Sequence, residues 1–179
     1  TYISLAASYF LSDIRLVSVI GDDFPQELLS DLEARGVNLD GLQRKPGEKS
    51  FFWAGKYRED LNIRDTLDTQ LNVLANFNPV LPEHYKRSDF LMLGNLTPIV
   101  QMRVIEQMER RPQVIALDTM NFWMNTAMEG LRAVLKRVDL LIINDEEARQ
   151  LSGVYSLVKA AEIIHQMLSL IHISEPTRP

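Results

Sequence analysis

The residues best suited to chemistry lie at one break in the chain. There Leu140-Leu-Ile-Ile143 gives way to Asn144-Asp-Glu-Glu147, and Ala148 and Leu151 follow at helical spacing before Gly153. A continuous apolar run of this length reads as a strand covered on both faces, and the periodicity after it reads as a helix stopped by glycine. Asn144 and Glu147 therefore fall at a strand's carboxyl end, beside a helix N-terminus. Open parallel sheets bind their ligands along that edge, and the N–H groups of a helix N-terminus suit phosphate. The same two residues also satisfy a purely structural pattern. Asn144 is a good N-cap, and Glu147, three residues on, can reach back to close a capping box.

Other elements repeat the strand-to-helix step and must position this edge. Arg15-Leu-Val-Ser-Val-Ile20 leads into Gly21-Asp22-Asp23 and a helix over Pro25 to Arg35, with Leu28, Leu29 and Leu32 inward and Gly36 as its stop. Asp22 and Asp23 read as caps for that helix. Phe90-Leu-Met-Leu93 leads into Gly94-Asn95 and a helix opened by Thr97-Pro98, with Ile99, Met102, Ile105 and Met108 on its inner side. Val114-Ile-Ala-Leu117 leads into Asp118, and a helix around Met128 to Val138 precedes the Leu140 strand. Ser156 opens a last helix with Leu157, Ala160, Ala161 and Ile164 inward. Four strands, each followed by a helix, imply right-handed crossovers and an α/β fold with a doubly wound, mostly parallel sheet. Asn95, Asp118 and Asn144 then lie along one carboxyl edge, although a strand-end Asp such as Asp118 can equally cap its own turn.

Residues 43–70 break this rhythm. Ser50 to Tyr57 and Leu61 to Leu67 are rich in strand formers with partial alternation, joined by the polar Arg58-Glu-Asp60, and read as a hairpin. Phe51, Phe52, Trp53 and Tyr57 either pack this hairpin onto the body or meet a ligand. Lys56 and Arg64 can touch a ligand or simply remain solvated.

Composition sets the outer limits. With 179 residues, 46% apolar and 24% charged, the chain suits one soluble globular domain, and its net charge of −5 argues against a nucleic-acid backbone as partner. There is no apolar span of membrane length and no signal peptide, so a cytoplasmic protein is the default. Cysteine is absent, and His84, His165 and His172 are scattered, so no metal is expected to be held directly by protein side chains. None of the eight glycines forms a Gly-x-Gly pair, which disfavours a dinucleotide-dependent enzyme and a P-loop.

Asn144-Asp-Glu-Glu147, with Ala148 and Leu151-Ser-Gly153 behind it, resembles the Asn-x-x-Glu segment of the ribokinase-like sugar and nucleoside kinases, the PfkB family. The spacing from Ser4 to Leu11 to Gly21 resembles that family's N-terminal signature, with Leu11 where Gly or Ser is usual and Tyr2 where Asn is usual. The resemblance implies ATP and Mg²⁺ as cofactors, with Asn144 and Glu147 placing metal and phosphates largely through water. Mg²⁺ keeps several waters and bridges phosphate oxygens through few carboxylates, so two such residues suffice. Asp118-Thr-Met-Asn121 stands in the place of the family's Asp-Pro-Asn segment, one residue longer and without proline. It assigns Asp118, beside Asn95, to the substrate edge. The hairpin becomes a small lid, carrying Phe51, Trp53 and Lys56, that closes over the sugar, excludes water and offers a homodimer contact.

The implied function is transfer of the γ-phosphoryl group of Mg-ATP to a sugar hydroxymethyl group. A nucleoside such as adenosine, stacked on Phe51, Phe52 and Trp53, is the alternative acceptor. From a different class, a non-catalytic α/β domain that binds a small anion at the sheet edge uses the same residues.

The resemblance also sets expectations about the ends. The family's Gly-Gly pair would precede Thr1, and a Gly-Ala-Gly-Asp segment, with the anion hole and the proton-accepting Asp, would follow the last helix. No stretch here matches either. Residues 1–167 are therefore expected to be a partial ribokinase-like domain, inactive alone, whose base lies beyond the chain end. Residues 168–179, beginning Leu168-Ser-Leu-Ile-His-Ile-Ser174, resemble the translation of a transposase-end adapter used for sequencing libraries and are expected to be non-native.

Overall fold

The computed structural model describes residues 2–57, 64–168 and 173–174. They group into two units, Thr1–Pro82 and Glu83–Pro179.

In the first unit, α1 (Tyr2–Ala7) buries Ser4 and leaves Ile3 exposed. Strand β1 (Ile14–Ile20), helix α2 (Gln26–Ala34) and strand β2 (Val37–Arg44) form a βαβ unit. β1 and β2 run parallel, with Ile14 opposite Val37 and Ile20 opposite Arg44. α2 buries Leu29 and Leu32 and leaves Leu28 exposed, because a two-stranded ladder is covered by the single stripe at i and i+3. Gly36, at φ 82°, ends the helix as its position predicts. β2 is a strand that its composition hides. Asn38, Asp40 and Gly41 are poor strand formers, yet Val37 and Gly41 are buried and the β1 ladder holds the segment extended. The first expected strand of the parallel sheet thus pairs with a segment for which the sequence pattern gave no strand.

The hairpin expected within 43–70 is present as β3 (Phe52–Tyr57) and β4 (Arg64–Gln70), antiparallel, with Phe52 opposite Gln70 and Lys56 opposite Asp65. Its turn, including Arg58 to Asp60, lies outside the described residues. The register shifts between Ala54 and Gly55, leaving Leu67 as the extra residue of a bulge.

The second unit carries the βα repeats: β5 (Phe90–Leu93), α3 (Pro98–Gln107), β6 (Val114–Asp118), α4 (Asn121–Thr126), α5 (Met128–Leu135), β7 (Leu140–Ile143), α6 (Asp145–Ser152), α7 (Leu157–His165) and β8 (Ile173–Ser174). All four strands are parallel, in the order β5-β6-β7-β8. α3 packs beside α5, α4 beside α6, and α6 beside α7, as when successive crossovers turn the same way. Leu117, Leu131, Val134, Leu135, Val138, Leu141 and Ala160 are fully buried and form the core of this unit. β7 has a neighbour on both sides, the outer being a two-residue ladder from Ile142 and Ile143 to Ile173 and Ser174.

Two helices differ from the sequence pattern. α4 is an additional short helix directly after β6. α3 turns a different face inward, burying Val100, Gln101, Val104 and Ile105 while Ile99 is exposed. The expected Ile99/Met102 stripe loses because a glutamine takes a core position where its amide finds backbone carbonyls. Thr97 and Pro98 open this helix as expected, the Thr97 hydroxyl oxygen accepting from the Val100 N–H.

Candidate functional site

The parallel register fixes the edge. Leu93 aligns with Leu117 and Leu117 with Leu141, so Asn95, Asp118 and Asn144 emerge at the carboxyl ends of three adjacent strands. With strands spaced by just under 5 Å, the outer two are separated by about 10 Å, a span suited to a small molecule.

At the β7–α6 step the capping box is complete. Asn144 Oδ1 accepts from the Glu147 N–H at 2.9 Å, and Glu147 Oε2 accepts from the Asn144 N–H at 3.0 Å. Glu147 is only 4% exposed. The structural pattern recognised in the sequence is therefore realised, and it locks both side chains at the edge rather than leaving them mobile.

The Glu147 carboxylate is thus an acceptor fixed by the backbone, as a group with about four acceptor sites allows. The first turn of α6 is nevertheless acidic throughout, with Asp145, Glu146 and Glu147. Asp145 is balanced by Arg149. Such a turn repels a bare phosphate, whatever the helix dipole contributes. Phosphate fits here only with a cation between. Among the described residues no group of three or more His, Cys, Asp or Glu could hold a metal ion. Asn144 and Glu147 are oxygen donors of the kind that fit a hydrated Mg²⁺ carrying phosphate ligands of its own.

The Asn95 and Asp118 end of the edge is organised by residues that sequence patterns did not single out. Trp123, buried on α4, donates from Nε1 to Asn95 Oδ1 at 2.8 Å and so orients that carboxamide. Asn121, the last residue of the Asp118-Thr-Met-Asn121 segment, is tied to the next crossover, its Nδ2 donating to Gln150 Oε1 at 2.6 Å. Gln150 in turn donates to Asn125 Oδ1 at 2.8 Å. Gln101 reaches from α3 to the strand ends, donating to Gly94 O at 2.9 Å and Asp118 O at 3.4 Å. The one available signal was a glutamine among Val100, Val104 and Ile105.

In the first unit, Asp22 and Asp23 do not cap α2, whose N-cap position is Pro25 with no side-chain cap bond. Asp22 Oδ2 accepts from the Gly47 N–H and Asp23 Oδ1 from the Ser50 N–H, both at 2.6 Å. The Ser50 backbone and hydroxyl bonds hold the Asp23 carboxyl below its usual range. Ser50 Oγ also accepts from the Gly21 N–H at 3.0 Å, and Asn72 Nδ2 donates to Ser50 O at 2.8 Å. A Cβ on Gly21 would lie 2.2 Å from Glu48 O, so only glycine permits this crossing. Both strands of the hairpin are thus anchored at one polar knot. The competing attraction, a helix N-terminus needing a cap, was met by neither aspartate because Pro25 lacks an N–H and the 45–50 loop offers several.

Above this knot, Phe51 and Phe52 are exposed at 44% and 49%. Trp53 lies over Gly55, where a Cβ would meet the ring at 2.2 Å, and its Nε1 donates to Thr66 Oγ1 at 3.4 Å. Lys56 is exposed and faces Asp65 across the ladder, a charge-paired position.

A parallel α/β unit with its polar residues along one carboxyl edge, accompanied by an antiparallel hairpin, is the ribokinase-like arrangement. Residues 3–175 match the pfkB family carbohydrate kinases, and the chain belongs to that family. It is similar to a cytidine kinase from Thermococcus kodakarensis, 24% identical over 165 residues, covering 91% of this chain and 58% of that protein. An Escherichia coli protein assigned as a ribokinase II, solved with ATP and Mg²⁺, superposes with a TM-score of 0.72 at 16% identity, covering 97% of this chain and 60% of the other. A nucleoside kinase from Burkholderia thailandensis in complex with inosine gives a TM-score of 0.60 at 16% identity, covering 89% and 54%. These superpositions show the fold. The chain spans 54–60% of the length of these relatives. No helix among the described residues is long and apolar enough to cross a membrane.

Proposed function

We propose that this chain belongs to a cytoplasmic ATP-dependent kinase that phosphorylates a hydroxymethyl group of a sugar. The observation that carries this is the locked Asn144–Glu147 pair at the carboxyl edge of a parallel sheet, in a chain of the pfkB family. Mg-ATP, when bound, supplies the phosphoryl group and the charge that neutralises it. The chain's own contribution is positioning: Asn144 and Glu147 hold the hydrated metal and phosphates in register, while Asn95 and Asp118 line the acceptor side. The hairpin with Phe51, Trp53 and Lys56 is the part of the first unit that responds to the acceptor.

A nucleoside acceptor is the second reading. It is favoured by the likeness to a cytidine kinase and by the exposed Phe51 and Phe52, whose rings can stack on a base. A coupled assay for ADP release, run on the protein extended to the length of its relatives, separates the two. Turnover is expected with a pentose or hexose, or with cytidine, inosine or adenosine if the second reading holds. ADP release with none of them, from folded protein that binds Mg-ATP, would rule out both.

A further inference from the structure

We propose that Gln101 is the positioning residue of the acceptor edge, fixing the separation of Asn95 and Asp118 by joining the backbone carbonyls at the ends of β5 and β6. The inference rests on the assignment of that edge to the acceptor.

Gln101 lies one turn into α3, is 1% exposed, and is among the largest fully buried side chains. Its amide nitrogen gives one hydrogen to Gly94 O at 2.9 Å and the other toward Asp118 O at 3.4 Å. Gly94 immediately precedes Asn95, and Asp118 is itself an edge residue, so one planar group sets where both residues leave their strands. Packing alone does not account for a glutamine here, because Leu or Met fills the same volume without burying polar atoms.

A second observation points to the same place. Among the described residues, two buried side-chain polar atoms have no hydrogen-bond partner, Gln101 Oε1 and Thr119 Oγ1. Thr119 follows Asp118 directly. Unsatisfied buried groups are rare in folded proteins, and stability given up in this way tends to concentrate at functional sites. One belongs to Gln101 itself and the other to the strand end that it ties down. Trp123 fixes the Asn95 side chain from the other direction, so the backbone and the side chain of that residue are held by separate elements.

The test compares wild type with Gln101→Leu and Gln101→Met in the intact protein. Hydrogen exchange is read at residues 95–97 and 119–121, with 115–117 and 141–143 as internal controls. Both variants are expected to exchange at least tenfold faster at the two strand ends and unchanged at the controls. Acceptor affinity should fall at least tenfold while affinity for a non-hydrolysable Mg-ATP analogue stays within twofold, a split that general destabilisation would not produce. Exchange within twofold of wild type at both strand ends would overturn the proposal, as would equal loss of both affinities. If neither variant folds, the wild-type protein decides: the Gln101 side-chain amide protons must exchange slowly with water, and rapid exchange overturns the assignment. Wild type that binds no sugar or nucleoside would instead remove the kinase reading, an outcome distinct from unchanged exchange in the variants.

Discussion

Glu147 closes the capping box of α6, and a single substitution separates that from the role we propose for its charge. Gln accepts the Asn144 N–H as Glu does, so Glu147→Gln keeps the capping box and removes only the charge. In the extended protein this change is expected to lower kcat by about ten- to a thousandfold with little effect on melting temperature. Full turnover at unchanged stability would reduce Glu147 to a cap.

Asp139 offers the contrasting case of a buried carboxylate away from the proposed site. Burial pushes it up, but Arg111 at 2.7 and 3.1 Å and the Ile115 N–H at 2.9 Å more than offset this, and its pKa lies below the usual range. A carboxyl whose folded value is depressed contributes stability above its unfolded value and loses it as pH falls through the folded one. Acid melting should therefore steepen below the ordinary carboxylate range. Asp139→Asn should flatten that dependence and cost about 1–3 kcal/mol at neutral pH, since the exposed Arg111 limits the pair's worth.

At the scale of elements, the hairpin is the part whose sequence and structure agree on type and leave role to experiment. β3 and β4 arise from alternating strand formers, while the knot of Gly21, Asp22, Asp23, Ser50 and Asn72 at their base depends on partners more than twenty residues apart. No local pattern announces it. Trp53 seated on Gly55 makes the ladder testable. Gly55→Ala should unseat the ring and increase acrylamide quenching of Trp53. Fluorotryptophan labelling resolves Trp53 from Trp123 without removing the partner of Asn95. A saturating acceptor that leaves the Trp53 fluorine resonance unmoved would count against a ligand-responsive hairpin.

For the whole molecule, the turnover predicted here is that of the protein at the length of its relatives, of which this chain spans 58% in the cytidine kinase. The strand-to-helix rhythm, the Asn144–Glu147 step and the shared edge were legible because each is written within a dozen residues, in apolar runs and caps. β2 was not, since Asn38, Asp40 and Gly41 conceal a strand that only β1 holds in place. The inner face of α3 was misread because Gln101 satisfies its amide on strand ends that periodicity cannot see. Asp22 and Asp23 were read as local caps, and a distant loop claimed them.

The order of strands in the second unit repeats their order in the chain, and this bears on how the protein emerges from the ribosome. β5, β6 and β7 begin at Phe90, Val114 and Leu140, about 25 residues apart, so at about 5–20 residues per second a new strand appears every few seconds at most. Helix formation and collapse are far faster. Each strand can therefore dock on the one already made, with its crossover helix in place, before the next leaves the exit tunnel. Asn95, Asp118 and Asn144 are then laid down in sequence along an edge that exists in part while synthesis is still under way.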